Sequence, residues 1–188
     1  MDAWILDESP GTYRWGTIDL PPLGPDDVRI RVVASALNHM DLWLTRGRPR
    51  PTLPHVPGCD VAGVVATVGE GVSTVSVGDE VVVNPAVSPL EAVVALGDDA
   101  PVAKGFEIVG EQRWGGHGEL VVVPSRNVVA RPAGRTWEEC AAYPLATLTA
   151  RDFTVDMVYS LDESEAARYA VTTTLRELRE VGFVRQEN

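Results

Sequence analysis

Residues 54–72 read PHVPGCDVAGVVATVGEGV. Between Gly58 and Gly69 the run is dense in valine. Such a run, bounded by glycine and charge, suits a strand buried on one or both faces. Upstream, DVRIRVV (27–33) sets Val28, Ile30 and Val32 on one face and Arg29 and Arg31 on the other, a period of two. Downstream, DEVVV (79–83) repeats the strand signal, and turn-forming clusters recur at short intervals: PPLGPDD, VGEG and VGDE. The spacing predicts a barrel-like or sandwich body of short strands across the first 130 residues.

Helical signals are fewer. HMDLWLTRG (39–47) predicts a short helix ending at Gly47. TWEECAAYPLATLTA (136–150) opens with Thr136 and Glu139 at capping-box spacing, and Pro144 is expected to limit or kink that helix. Further on, FTVDMVY (153–159) alternates as a strand. Ser160 and Glu163 then open an amphipathic helix that stops at Gly182. One stretch resists assignment: SPLEAVVALGDDAPVAKGFE (88–107) is neither a clean strand nor a clean helix.

The chain has 188 residues, 45% hydrophobic and 23% charged, enough to bury a real core. Its formal net charge of −11 argues against a nucleic-acid partner, because such affinity comes from clustered Lys and Arg. Two cysteines, Cys59 and Cys140, lie without metal spacing between them, which suggests a reduced, cytoplasmic setting. No apolar run approaches membrane-spanning length, so no membrane partner is expected.

The blocks ALNHMDLW, PHVPGCDVAGVVATVGEGV, VGDEVVVNP, RWGGHGELVVVP and AAYPLATLTA, in this order, closely resemble the GroES-like catalytic domain of medium-chain dehydrogenases/reductases, the superfamily of zinc alcohol dehydrogenases and quinone reductases. The resemblance covers roughly residues 1–150. It implies a mainly β fold with helices (α+β), a GroES-like partly open β-barrel. It also makes residues 151–188 the return strand and helix packed back on that domain. In zinc-bearing members the excursion at 84–113 is a lobe closed by four thiolates. Here those places fall at about Pro89, Ala92, Ala95 and Ala103, so a relic lobe without its metal is expected. The catalytic zinc places fall at Asn38, at Cys59 beside Asp60, and near Leu145, a set that does not make a stable zinc site. After Ala150 no G-x-G-x-x-G follows, and Gly69-Glu70-Gly71 lacks the third glycine and the helix, so no Rossmann fold and no nucleotide cofactor are expected.

Three functions follow from that picture. The first is a cofactor-independent isomerase, cyclase or lyase acting on a small organic substrate. In it, His39 or Asp41 serves as general acid or base, and Asn38 donates to a developing oxyanion. Met40, Trp43, Cys59, Asp60, Trp114, His117 and Tyr143 would line the substrate pocket, with His117 at its rim, while His55 reads as a turn residue. The second is a non-catalytic binding or assembly protein, whose exposed wall a homodimer could cover. The third is an oxidoreductase remnant that borrows a nucleotide-binding domain from another chain.

Overall fold

The computed structural model describes residues 1–96 and 103–146; the strand and helix expected after residue 151 lie outside them. The valine-rich run quoted above becomes β4 (Asp60–Val68), and DVRIRVV opens β3 (Asp27–Ala36). These two strands pair antiparallel at the centre of a five-stranded sheet. β8 (Leu120–Pro124) flanks β3. On the other side, β5 (Glu80–Val83) and then β9 (Val128–Ala130) extend β4. A hairpin of β1 (Asp2–Leu6) and β2 (Tyr13–Thr17) and a small ribbon of β6 (Ala86–Val87) and β7 (Glu107–Ile108) complete the strands. The sheets are open, with no closed barrel among the described residues.

Burial explains why β4 has no polar face at its start. Val61 and Val65 point into the main core with Val28, Ile30, Val121 and Val123. Ala62 points the other way and packs with Val82, Cys140 and Ala141. The second face is covered by α3 (Trp137–Ala141), whose Thr136–Glu139 capping box forms as expected. The helix ends at Ala142, before Pro144, whose ring disfavours helical backbone in the residue that precedes it.

The alternation expected along β3 holds at Val28 and Ile30 and then slips. The register with β4 shifts between Val32 and Ala34, and Val33 is left exposed. An extra residue of this kind is a β-bulge.

The unassigned stretch contains a helix, α2 (Leu90–Leu96), a defined element where the sequence showed neither a clean strand nor a clean helix. Only Ala92 of this helix is buried, while Leu90, Val93, Val94 and Leu96 are exposed. His55 is also corrected. It is a buried residue that exchanges backbone hydrogen bonds with Leu6 at 2.8 and 2.9 Å, tying the β1 hairpin to the segment that leads into β4.

Candidate functional site

The helix α1 (His39–Thr45) starts where β3 ends. Asn38 is its N-cap. The side-chain oxygen of Asn38 accepts from Met40 N at 3.1 Å, and Asn38 N donates to Asp41 Oδ2 at 2.8 Å. This reciprocal pair satisfies backbone donors that a helix start leaves over. Met40, Leu42 and Leu44 pack inward against Leu6 and Tyr13, which fixes the helix on the body of the protein.

Asp41 is 1% exposed. Its Oδ2 also receives Nε2 of His117 at 3.2 Å, and its backbone oxygen accepts the Tyr13 hydroxyl at 2.7 Å. Burial, and next the nearby Asp41 charge, push the Tyr13 phenol well above its ordinary range. His117 turns Nδ1 towards Ser35 Oγ at 2.9 Å, and that hydroxyl donates to the Asp60 carbonyl at 2.9 Å. The Asp60 carboxylate accepts from three groups: Leu145 N at 2.7 Å on Oδ1, and Asn38 Nδ2 and Cys59 Sγ, both at 3.3 Å, on Oδ2. Burial raises the Asp60 carboxyl above the usual carboxylate range, and these donors pull it back in part. Burial, reinforced by the Asp60 charge, drives the Cys59 thiol far above its ordinary value. Cys59 is therefore a thiol that donates a proton, with no thiolate available for nucleophilic work.

The result is one hydrogen-bonded cluster reaching from β3 through the start of α1 and of β4 to the segment after α3. Of the residues expected at a site, it joins Asn38, Asp41, Cys59, Asp60 and His117. His39 and Trp43 stand apart on the exposed side of α1, with ring centroids 5.7 Å apart. Met40 is inside, in the core below the helix. Trp114 donates from Nε1 to Pro54 O and borders a cavity of about 460 Å³ that includes Leu20, Asp27, Arg113 and Val122. Tyr143 borders another, of about 200 Å³, with Val83, Val129 and Pro144. Neither cavity is lined by a member of the cluster, which is where the buried titratable groups gather. His117 is not at a rim: it is buried, and His117 N and O are bonded to Pro57 O and Trp4 N. Ser35 and Tyr13 were not foreseen, and Leu145, expected near a metal place, enters through its backbone amide.

A family model described as the alcohol dehydrogenase GroES-like domain matches residues 24–133. The chain belongs to that family. Among the relatives of this GroES-like chain is the NADPH-dependent alkenal/one oxidoreductase of Arabidopsis thaliana, chloroplastic, 31% identical over 87% of this chain and 39% of the relative. The crotonyl-CoA reductase of Streptomyces collinus is 32% identical over 71% of this chain and 34% of the relative. A solved NAD-dependent alcohol dehydrogenase superposes with a TM-score of 0.76 at 39% identity, covering 83% of this chain and 47% of its own. The GroES-like chain thus spans less than half the length of each of these proteins.

These matches overturn the first functional expectation. The relatives are named as reductases, oxidoreductases and dehydrogenases, so an isomerase, cyclase or lyase working without a cofactor has no support.

Zinc needs lone pairs from its ligands. Asn38 Nδ2, Cys59 Sγ and Leu145 N all offer protons instead, and all three give them to Asp60. Asn38 Oδ1 is engaged by Met40 N. Among the described residues no group of three His, Cys, Asp or Glu side chains could hold a metal ion. The residues present do not fit a zinc ion at these places. Among the described residues no helix is long and apolar enough to cross a membrane.

Proposed function

We propose that this chain supplies the substrate-facing part of a zinc-independent, nicotinamide-dependent reductase of activated carbon–carbon double bonds: enals, enones or enoyl thioesters. The observation that carries this reading is the cluster of proton donors around Asp60 at the family's metal places. Reducing a lone carbonyl calls for strong polarisation of its oxygen, which a metal supplies as a Lewis acid. A conjugated alkene spreads the charge it takes up onto its distant carbonyl oxygen and needs only a hydrogen-bond donor there. The names of the alkenal/one oxidoreductase and crotonyl-CoA reductase support the same substrate class.

In this reading the two faces of α1 divide the work. Asn38 and Asp41 hold its start in place from inside. On the outer face Trp43 offers a flat apolar wall to a conjugated substrate, and His39 beside it is the donor for the carbonyl oxygen. The Gly69–Gly71 turn is not a pyrophosphate-binding turn. Gly69 and Gly71 lie in a turn against Pro25 and Asp26, between β4 and β5, with no helix after them to receive a pyrophosphate.

The test joins residues 1–146 to the nucleotide-binding part of the Arabidopsis relative and follows NADPH oxidation with but-3-en-2-one, with and without EDTA. The expected result is enone-dependent oxidation that EDTA leaves unchanged and that His39→Ala or Trp43→Ala lowers at least about tenfold, one lost interaction's worth. A folded fusion that binds NADPH yet leaves enones untouched, or that works only with added zinc, rejects the proposal.

A further inference from the structure

The outer face of α1 leads straight into the most basic stretch of the chain, RGRPR at 46–50. From Leu42 to Cys59 there is no Asp or Glu, in a protein whose formal net charge is −11. Arg48 and Arg50 are exposed, and among the described residues neither has a carboxylate partner. Arg46 is engaged already, and Asp7, near the neighbouring turn at Ser9 and Pro10, is paired with Arg14. The loop that carries these arginines is pinned. α1 closes on Gly47 at φ +71°, where Gly47 N donates to Leu44 O at 3.1 Å and Arg48 N to Trp43 O at 3.0 Å, the two bonds of a Schellman closure. Arg48 is thereby folded back against the backbone of Trp43. Gly11 N and Ser9 Oγ hold the same turn through Thr45 O and Leu44 O, at 2.9 and 2.7 Å. Pro49, Pro51 and Pro54 fix φ along the rest of the loop, and Pro54 O accepts the Trp114 indole N–H at 3.0 Å. Little backbone freedom is left to lose when a ligand arrives.

Exposed charges more than about 8 Å apart are largely screened from one another at physiological salt. The acids elsewhere on the chain therefore do not cancel this loop, and an anion that reaches it meets a local excess of positive charge. A guanidinium takes two oxygens of a carboxylate or phosphate side by side. We propose that Arg48 and Arg50 bind an oxyanion, carboxylate or phosphate, carried on the tail of the substrate whose conjugated head lies on Trp43. The inference rests on the reading that the outer face of α1 meets the substrate, and it narrows that reading from uncharged enones to anionic ones.

The full chain is titrated by calorimetry, without NADPH, with four probes: 7-oxooct-5-enoate, its methyl ester, crotonyl-CoA and NADP⁺. The acid and its ester differ by one charge, the CoA thioester carries phosphates on its tail, and NADP⁺ carries them on a cofactor. The expected result is that the acid or the CoA thioester binds at least about tenfold more tightly than the ester, and which of them does so tells carboxylate from phosphate. Arg48→Ala and Arg50→Ala should each remove about fivefold of that advantage, the upper worth of one exposed ion pair. Raising NaCl to about 0.5 M should remove most of it in the wild type, which decides the matter should a variant fail to fold. An ester that binds as well as both anions, an advantage that survives the double variant or high salt, or a dependence on the arginines confined to NADP⁺ overturns the proposal. No turnover is involved, so the two readings fail separately. Arginine-dependent binding of the acid alongside an inert fusion rejects the reductase reading alone. Enone-dependent NADPH oxidation by the fusion alongside equal binding of acid and ester rejects this inference alone.

Discussion

Replacing Asp41 by alanine tests whether the cluster holds the start of α1. Asp41 is 1% exposed, and its carboxylate serves two donors, Asn38 N at 2.8 Å and His117 Nε2 at 3.2 Å. Alanine takes the acceptor from both donors, the half-buried Asn38 N and the buried His117 Nε2, at about 1–3 kcal/mol each. The Asn38 N–H bond is also half of the capping box, so its loss is counted once. The expected loss is about 3–5 kcal/mol, a large share of the roughly 5–15 kcal/mol that stabilises a domain. Asp41→Asn keeps the shape and one acceptor oxygen, which can still take the Asn38 N–H, so it should cost about half as much. Urea unfolding followed by far-UV circular dichroism measures both variants, with the slope checked for constancy. If Asp41→Ala lies within about 1 kcal/mol of wild type, water replaces the lost acceptor freely and the cluster is not the buried device described here.

Three further outcomes follow from single residues. Gly58 has φ +103°, and a Cβ there would meet both the backbone N and the ring of His117 at 2.7 Å. Gly58→Ala should therefore cost at least about 2 kcal/mol and move the His117 NMR signals; a neutral substitution refutes the close approach. Burial holds the His55 imidazole below its ordinary titration range, against a backbone hydrogen bond to Gly110 that raises it. The folded state then binds fewer protons than the unfolded one, so this contribution is present above about pH 6.5 and is lost as pH falls through the depressed folded value. His55→Asn should flatten that acid-side slope of urea stability, and an unchanged slope counts against the burial. Both cysteines are buried, and the Cys59 thiol is raised, so a thiol reagent should label neither until the chain unfolds. Rapid labelling of one thiol in the native protein would contradict this.

The strands that pack by simple alternation were legible in the sequence. Val28 and Ile30 of β3 lie where the alternation put them, and the valine-rich runs read as buried strands form β4 and β5, which bury Val61 and Val65, and Val81 and Val83, on one face and Ala62 and Val82 on the other. The β1–β2 hairpin was not singled out, because its stability comes from partners rather than period: Trp4 pairs with Trp15 across the strands, while Ala3 and Ile5 pack with Val56. The helix α2 escaped because its apolar residues show no buried stripe; Ala92 alone is covered. In the site, Asn38, Asp41, Cys59 and Asp60 could be found because they sit in short contiguous motifs. His117 was found but set at a rim, since its two glycine neighbours suggested an open loop, whereas they allow the chain to tuck inward beside Val61 and Ala3. The Leu145 amide has no side-chain signal at all, and its role is visible only in three dimensions.

The displaced residue in β3 has a consequence for how this strand is counted. Up to Val32 the even positions look into the core; Arg29 and Arg31, at odd positions, look out. Past Val33 the parity is inverted, so Ser35 pairs with Val61, lies on the core side and meets His117, while Ala34 takes the outer side under α3. A strict odd–even count would have placed that hydroxyl outside the protein. One unpaired valine thus converts a residue of the outer surface into a member of the innermost polar contact.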